Sequence, residues 1–369
     1  MSTGTEHLLH MLRSQGRFCA ASGSPMYGEL FELVAADVEG GGVFADILSG
    51  HEDAPSRHAV PLRLLGGLHR MVLDGRAAEL RSWYPSAGGV WDADTAAEAW
   101  PAILRTASDH SGTLRAALNQ PPQTNEVGRS AALIGALLRI NDGSDLPIRL
   151  FEIGSSAGLN LRGDHYRYRY GGREWGPADS PVMIDDAWRG ALPPDGAVTI
   201  VERNGYDIAP IDVTDTDGEL TVLSYVWPDQ HDRLARLRGA IAVARQVPAG
   251  LHRKSAAEAV SALTRAEGAL TVLWHSITWQ YLSEDERAAV RDGIDAVGAR
   301  ADSRSPFAHL TLEPARAGPG TPIRFLVRVR SWPGGELAVL GECHPHGPPV
   351  NWQQIFRDGP SEFAPPRRR

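Results

Sequence analysis

Residues 148–161, IRLFEIGSSAGLNL, place a carboxylate and two glycines at a spacing suited to holding a ligand by backbone. Glu152 lies near the end of an apolar run (Ile148, Leu150, Phe151, Ile153), and Gly154, Ser155 and Gly158 follow it. Glycine has no Cβ and tolerates positive φ, so the chain can approach a ligand closely. A helix opening at Leu159–Leu161 offers unpaired N–H groups to polar or anionic atoms. A turn that binds nothing has the same appearance. Two other segments hold acid–base groups. SYVWPDQ (224–230) gathers an aromatic ring, a proline, a carboxylate and an amide. Asp229 and Gln230 can orient an amine or hydroxyl and accept its proton, with Trp227 as a contact surface; Asp229 can equally cap the helix beyond it. WHSITWQY (274–281) offers His275 as a base and Tyr281 as a contact residue. A lone His after an apolar run also serves as a satisfied structural residue.

Supporting groups lie around these. Asn125, Glu126 and Arg129, in QTNEVGR (123–129), supply more hydrogen-bonding side chains than a helix cap needs and are candidates to close over a substrate. Glu202 ends a second candidate strand and can take two ribose-type hydroxyls, and Asp212 further on either lines a ligand or caps a turn. His69 and Arg70 are weaker candidates on an N-terminal helix.

The elements that must position these residues follow from apolar spacing. Residues 1–145 read as helical: Leu62, Leu64, Leu65, Leu68, Met71, Val72 and Leu73 recur at helical spacing, and 8–12, 30–34, 95–107 and 130–140 repeat the pattern. This part is expected to act as a lid or cap. Residues 146–355 alternate strands and helices, with strands expected at 148–153, 198–202, 221–226 and 269–275, and helices at 232–245, 256–265 and 284–299. The mostly apolar runs suit a parallel sheet covered on both faces. Residues 164–194, rich in Tyr, Gly, Pro and Trp, read as an ordered insertion, and the β-type runs 309–313, 323–329 and 337–341 as a closing antiparallel hairpin. Residues 356–369 read as a tail.

Composition bounds the function. The chain has 369 residues, 42% of them hydrophobic and 22% charged, which is ordinary for a globular protein. Its net charge of -8 argues against a general affinity for nucleic acid. Two cysteines, Cys19 and Cys343, make no disulfide framework and sit in no metal-ligand spacing. No run is long and apolar enough for a membrane span, and the start MSTGTEHLLH lacks a signal-type apolar region, so a cytoplasmic location is expected. The expected partner is a small molecule; the oligomeric state is left open.

The spacing Glu-x-Gly-x-x-x-Gly, with its acid before the first glycine, resembles the first motif of class I methyltransferases that use S-adenosylmethionine (SAM). A dinucleotide fingerprint has its acid about 20 residues later instead. GSPMYGEL (23–30), LRLLGGLHRMVLDG (62–75), YPSAGG (84–89), QTNEVGRSAAL (123–133), LFEIGSSAGLNL (150–161), YRYGGREWG (168–176), LSYVWPDQ (223–230) and HSITWQYL (275–282) together resemble a bacterial family, the domain of unknown function 2332. The resemblance implies a Rossmann-like α/β fold of class I methyltransferase type. Glu152, Gly154, Ser155, Gly158 and Glu202 would hold SAM, and Asp229, Gln230 and His275 would orient the acceptor and take its proton. Ser156 stands where many methyltransferases have the middle glycine. Elimination or cyclisation in the same cleft, or a non-catalytic scaffold, are the alternatives.

Overall fold

The computed structural model describes residues 3–92, 94–316, 318 and 320–353; the 356–369 tail lies outside them. Two compact units emerge, each made from two stretches of chain. One combines residues up to Thr124 with Asp215–Ala235, and the other combines Asn125–Thr214 with residues from Arg236 on.

The first unit opens with α1 (Thr3–Ala21), α2 (Pro25–Glu39), α3 (Val43–Ile47), α4 (Val60–Leu73), α5 (Thr95–Asp109) and α6 (Ser111–Leu118). Ser24 starts α2 by accepting a hydrogen bond from the Tyr27 N–H, and Pro25 fits the first turn, where no N–H is needed. The apolar stripes bury Leu12, Phe31, Leu64, Leu68 and Met71 in one core, which Trp227 also enters.

The second unit begins with α7 (Ser130–Ile140) and β1 (Ile148–Ile153). The insertion is ordered: β2 (Arg167–Tyr170), β3 (Arg173–Trp175) and β4 (Met183–Ile184) form a small sheet, and β5 (Trp188–Gly190) leaves it for the main one. Tyr168 stacks on Trp188 at 5.3 Å between ring centroids. The next strand, β6 (Ile200–Asp207), runs five residues beyond the expected end at Glu202.

The expected third strand at 221–226 is instead the end of helix α8 (Thr216–Ser224) and the turn after it; α9 (His231–Ala244) follows. Asp215 caps α8 by accepting from the Gly218 N–H at 2.6 Å, and Asp217 and Glu219 complement the positive end of its dipole. The helix packs on α4, where Arg70 donates to Asp217 and Thr221, and Tyr225 lies where a Cβ on Gly66 would stand. A short apolar run carries no period that separates strand from buried helix. The parallel strand at this point of the order is β7 (Gly250–Arg253), a short half-polar segment.

The chain finishes with α10 (Ala256–Ser261), β8 (Leu270–Ser276), α11 (Glu284–Gly298), β9 (Phe307–Ala315), β10 (Arg324–Trp332), β11 (Glu336–His344) and β12 (Gly347–Trp352). The nine-stranded sheet has the order β5-β12-β11-β10-β9-β8-β1-β6-β7. Strands β7, β6, β1, β8 and β9 are mutually parallel, and β10, β11 and β12 continue antiparallel. The runs expected as a hairpin fall in β9, β10 and β11 of a four-strand antiparallel meander, β9 to β12, extended by β5 parallel to β12. On one face Phe151, Ile153, Leu273 and Phe307 pack with Val260, Val290 and Ile294 of α10 and α11.

Candidate functional site

Strand β1 lies between β6, which follows it, and β8, which the chain reaches after turning back past it. In open parallel sheets the ligand crevice lies beyond the carboxyl strand ends at such a reversal. Here that edge holds the turn 154–158 after β1, Asp207 at the end of β6, and residues 277–279 after β8. Ser156 and Ile277, one in each turn, both have φ of 51°. Left-handed backbone is strained for a residue with a Cβ, most of all a β-branched one, and such strain gathers at functional sites.

The turn after β1 is bonded inward. Gly154 N–H and Ser155 N–H donate to Tyr206 O, and Gly158 N–H to Ser155 O. Ser156 N–H donates to Asp207 Oδ2 at 2.8 Å, and Leu159 N–H to Asn125 Oδ1 at 2.9 Å. The Arg162 guanidinium donates to Gly158 O and Val247 O. Side chains fill the space beside the glycines: a Cβ at Gly154 would collide with Thr278, and one at Gly158 with Leu251. Three buried polar atoms here have no partner, namely Glu152 Oε2, Ser155 Oγ and Asn160 Oδ1. Glu152 is 2% exposed. Burial raises its pKa to about 8, against the lowering influence of Arg129, Trp274 and Arg162.

His275 faces away from Glu152. In the β1–β8 register Glu152 pairs with Trp274, so His275, one residue on, points to the opposite face. It hydrogen-bonds Glu313 Oε1 through Nδ1 at 2.7 Å and His309 Nε2 through Nε2 at 3.0 Å. Trp279 stacks on its ring at 5.5 Å. Glu313 Oε1 also accepts from the Thr278 and Trp279 N–H groups, pinning the strained turn at Ile277. Neither Glu313 nor Asp207 stood out in the sequence. Asp207 is the carboxylate closing β6, and Glu313 lies two residues before the end of β9; both signals depend on knowing how far the strand runs.

The other expected residues fall as follows. Glu202 is the third residue of β6, accepting from Arg149 Nε and Asn204 Nδ2. Glu126 caps the short turn before α7 through Gly128 N–H, and Arg129 donates to Pro345 O and Ser276 O. Tyr281 is 48% exposed on the turn after β8. Asp229, Gln230 and Trp227 belong to the helical unit. Asp229 accepts from Ser24 Oγ at 2.6 Å and Met26 N–H at 3.0 Å, anchoring the start of α2, and burial raises its pKa. Gln230 donates to Ser22 O and accepts from Arg233. Trp227 is 4% exposed, between Phe18 and Tyr27. His69 bridges Ser224 O and Ser86 Oγ.

An open cavity of about 430 Å³, lined by Arg265, Arg300 and Arg304, lies near the amino ends of β8 and β9, far from the carboxyl edge. Its side chains are largely paired: Arg265 donates to Ser305, and Arg304 pairs with Glu267. Among the described residues, no helix is long and apolar enough to cross a membrane.

A family model described as "Uncharacterized protein conserved in bacteria (DUF2332)" matches residues 9–352. The chain belongs to that family. The match takes in residues of both units, so the domain of unknown function 2332 comprises the helices, the exchanged 215–235 segment and the sheet together. No curated protein and no solved structure matches the chain.

Proposed function

We propose that the protein is a SAM-dependent methyltransferase of class I type acting on a small molecule. One observation carries the proposal: the Glu152–Gly158 motif lies at the reversal point of a parallel β7-β6-β1-β8-β9 array, with Asp207 closing the neighbouring strand. The residues present suit the cofactor. Glu152 Oε2, Ser155 Oγ and Asn160 Oδ1 are buried without partners. The Ser156 and Leu159 N–H groups are held by two side-chain acceptors, Asp207 and Asn125, which a ligand's carboxylate and hydroxyls replace in kind. Thr278 and Leu251 must rotate away from the glycines for a ligand to enter.

Gly154, Ser155 and Gly158 would hold the amino-acid end, with Glu152 behind them. Asp207 would take the ribose hydroxyls in place of Glu202, which is committed to Arg149. When bound, SAM supplies a methyl group on a sulfonium; alignment of the acceptor with it provides most of the rate. Arg129 bonds the backbone carbonyls of Ser276 and Pro345 and so ties the turn after β8 to the loop before β12.

Isothermal titration of the purified chain with SAM and S-adenosylhomocysteine tests this. Micromolar binding, weakened about tenfold (~1.4 kcal/mol) or more by Asp207→Asn, is the expected result. Absence of heat with either ligand up to millimolar concentration would remove the methyltransferase reading. The buried Glu313–His275 pair favours a second reading, acid–base elimination or cyclisation at the same edge.

A further inference from the structure

Glu313, His275 and His309 are joined by two hydrogen bonds in series, 2.7 Å and 3.0 Å long. The inner end is a carboxylate that is 8% exposed, whose Oε2 has no partner. It also binds the Thr278 N–H, and the Thr278 side chain covers Gly154. The outer end is the half-buried His309, midway along β9. A carboxylate needed only to pin the turn would not require two imidazoles behind it.

We infer that Glu313, His275 and His309 form a proton relay between the reaction edge of the sheet and solvent at His309. The inference rests on the carboxyl edge of β1 and β8 being the reaction site, under either reading above. Going inward, His309 takes a proton from water on Nδ1 and passes its Nε2 proton to His275 Nε2. His275 then passes its Nδ1 proton to Glu313 Oε1, leaving a carboxylic acid. Going outward, the rings start in the tautomers that inward transfer leaves, with a proton on Nε2 of His275 and on Nδ1 of His309. A proton released by the acceptor lands on Glu313 and moves to His275 Nδ1, His275 gives its Nε2 proton to His309 Nε2, and His309 gives its Nδ1 proton to water. Each ring gains one proton as it loses one, so no charge stays behind.

The surroundings suit transfer rather than storage. Desolvation, His275 and Arg330 hold the pKa of His309 well below its ordinary value, so the outer ring rests neutral. The Glu313 carboxylate favours the charged form of Arg328 on β10, against the effect of burial, and Trp279 covers His275. The charge of Arg330 is shared with Asp295 on α11.

The test uses the full chain without ligand, and so stands apart from the SAM titration. Nuclear magnetic resonance would measure exchange of the His275 Nδ1 proton with water in the wild type and in His309→Gln. Glutamine can still donate to His275 Nε2 but cannot pass a proton on. Exchange at least about tenfold slower in the variant, with an unchanged unfolding midpoint, is the relay's signature; equal rates would overturn it. Should the variant not fold, ring nitrogen shifts of the wild type decide. One proton on Nδ1 of His275 and one on Nε2 of His309 is expected, and a doubly protonated His309 at neutral pH overturns the relay.

Discussion

Glu152 shows how a single side chain is defined by its surroundings. Burial raises its pKa to about 8, so the folded protein retains a proton that the unfolded chain, titrating near 4.5, has lost. Stability is therefore greatest below the unfolded value and declines as pH rises towards the folded one, at about 1.4 kcal/mol per unit for this group. Glu152→Gln should remove that slope. Urea unfolding should find variant and wild type within about 1 kcal/mol at pH 5, and the variant more stable by a few kcal/mol at pH 8.5. A constant difference across that range would mean that Glu152 is ionised in the fold. Glu313 makes a different prediction. Its Oε1 is the acceptor for His275 and two backbone N–H groups, so Glu313→Ala leaves two buried donors and one half-buried donor unpaired and should cost about 3 kcal/mol or more in urea unfolding. Asp229→Asn weakens the anchoring of α2 and should cost about 1–2 kcal/mol.

At the scale of elements, the two turns flanking the reversal point interlock. Gly154 has φ of 68°, and a Cβ there would meet Thr278. Gly154→Ala should destabilise by about 2–4 kcal/mol, through left-handed strain and overpacking together. Thr278→Gly in the same chain should recover the overpacking share and leave the backbone share, a split readable in a double-mutant cycle. No recovery would mean that Thr278 does not lie on the turn. Helix α8 depends on its cap, and Asp215→Ala should cost about 1 kcal/mol.

At the scale of the molecule, the helical unit is completed by a segment distant in sequence. Trp227 fills its core, and α8 lies on α4 through Arg70 and Tyr225. Residues 1–124 expressed alone should lack cooperative unfolding by circular dichroism, and a 215–235 peptide added in trans should restore helical signal; cooperative unfolding of the fragment alone would show that the segment is dispensable. Along the chain, periodicity was enough to place β1, β8, α9 and α11 within a residue or two, because long periodic or fully buried runs have no competing arrangement. The Glu152–Gly158 turn was legible for a similar reason: its glycines serve a local backbone geometry. Helix α8 was not legible, since Thr221–Val226 is apolar enough for either state and only docking on α4 selects the helix. Nor was Asp207, whose importance comes from where β6 stops, or Glu313, whose importance comes from the strand and turn beside it. Nothing local puts His275 and Glu152 on opposite faces; the β1–β8 register does. Local residue choice thus determined the turns and most elements, whereas register, strand ends and chain exchange between units arose from contacts among residues far apart in sequence.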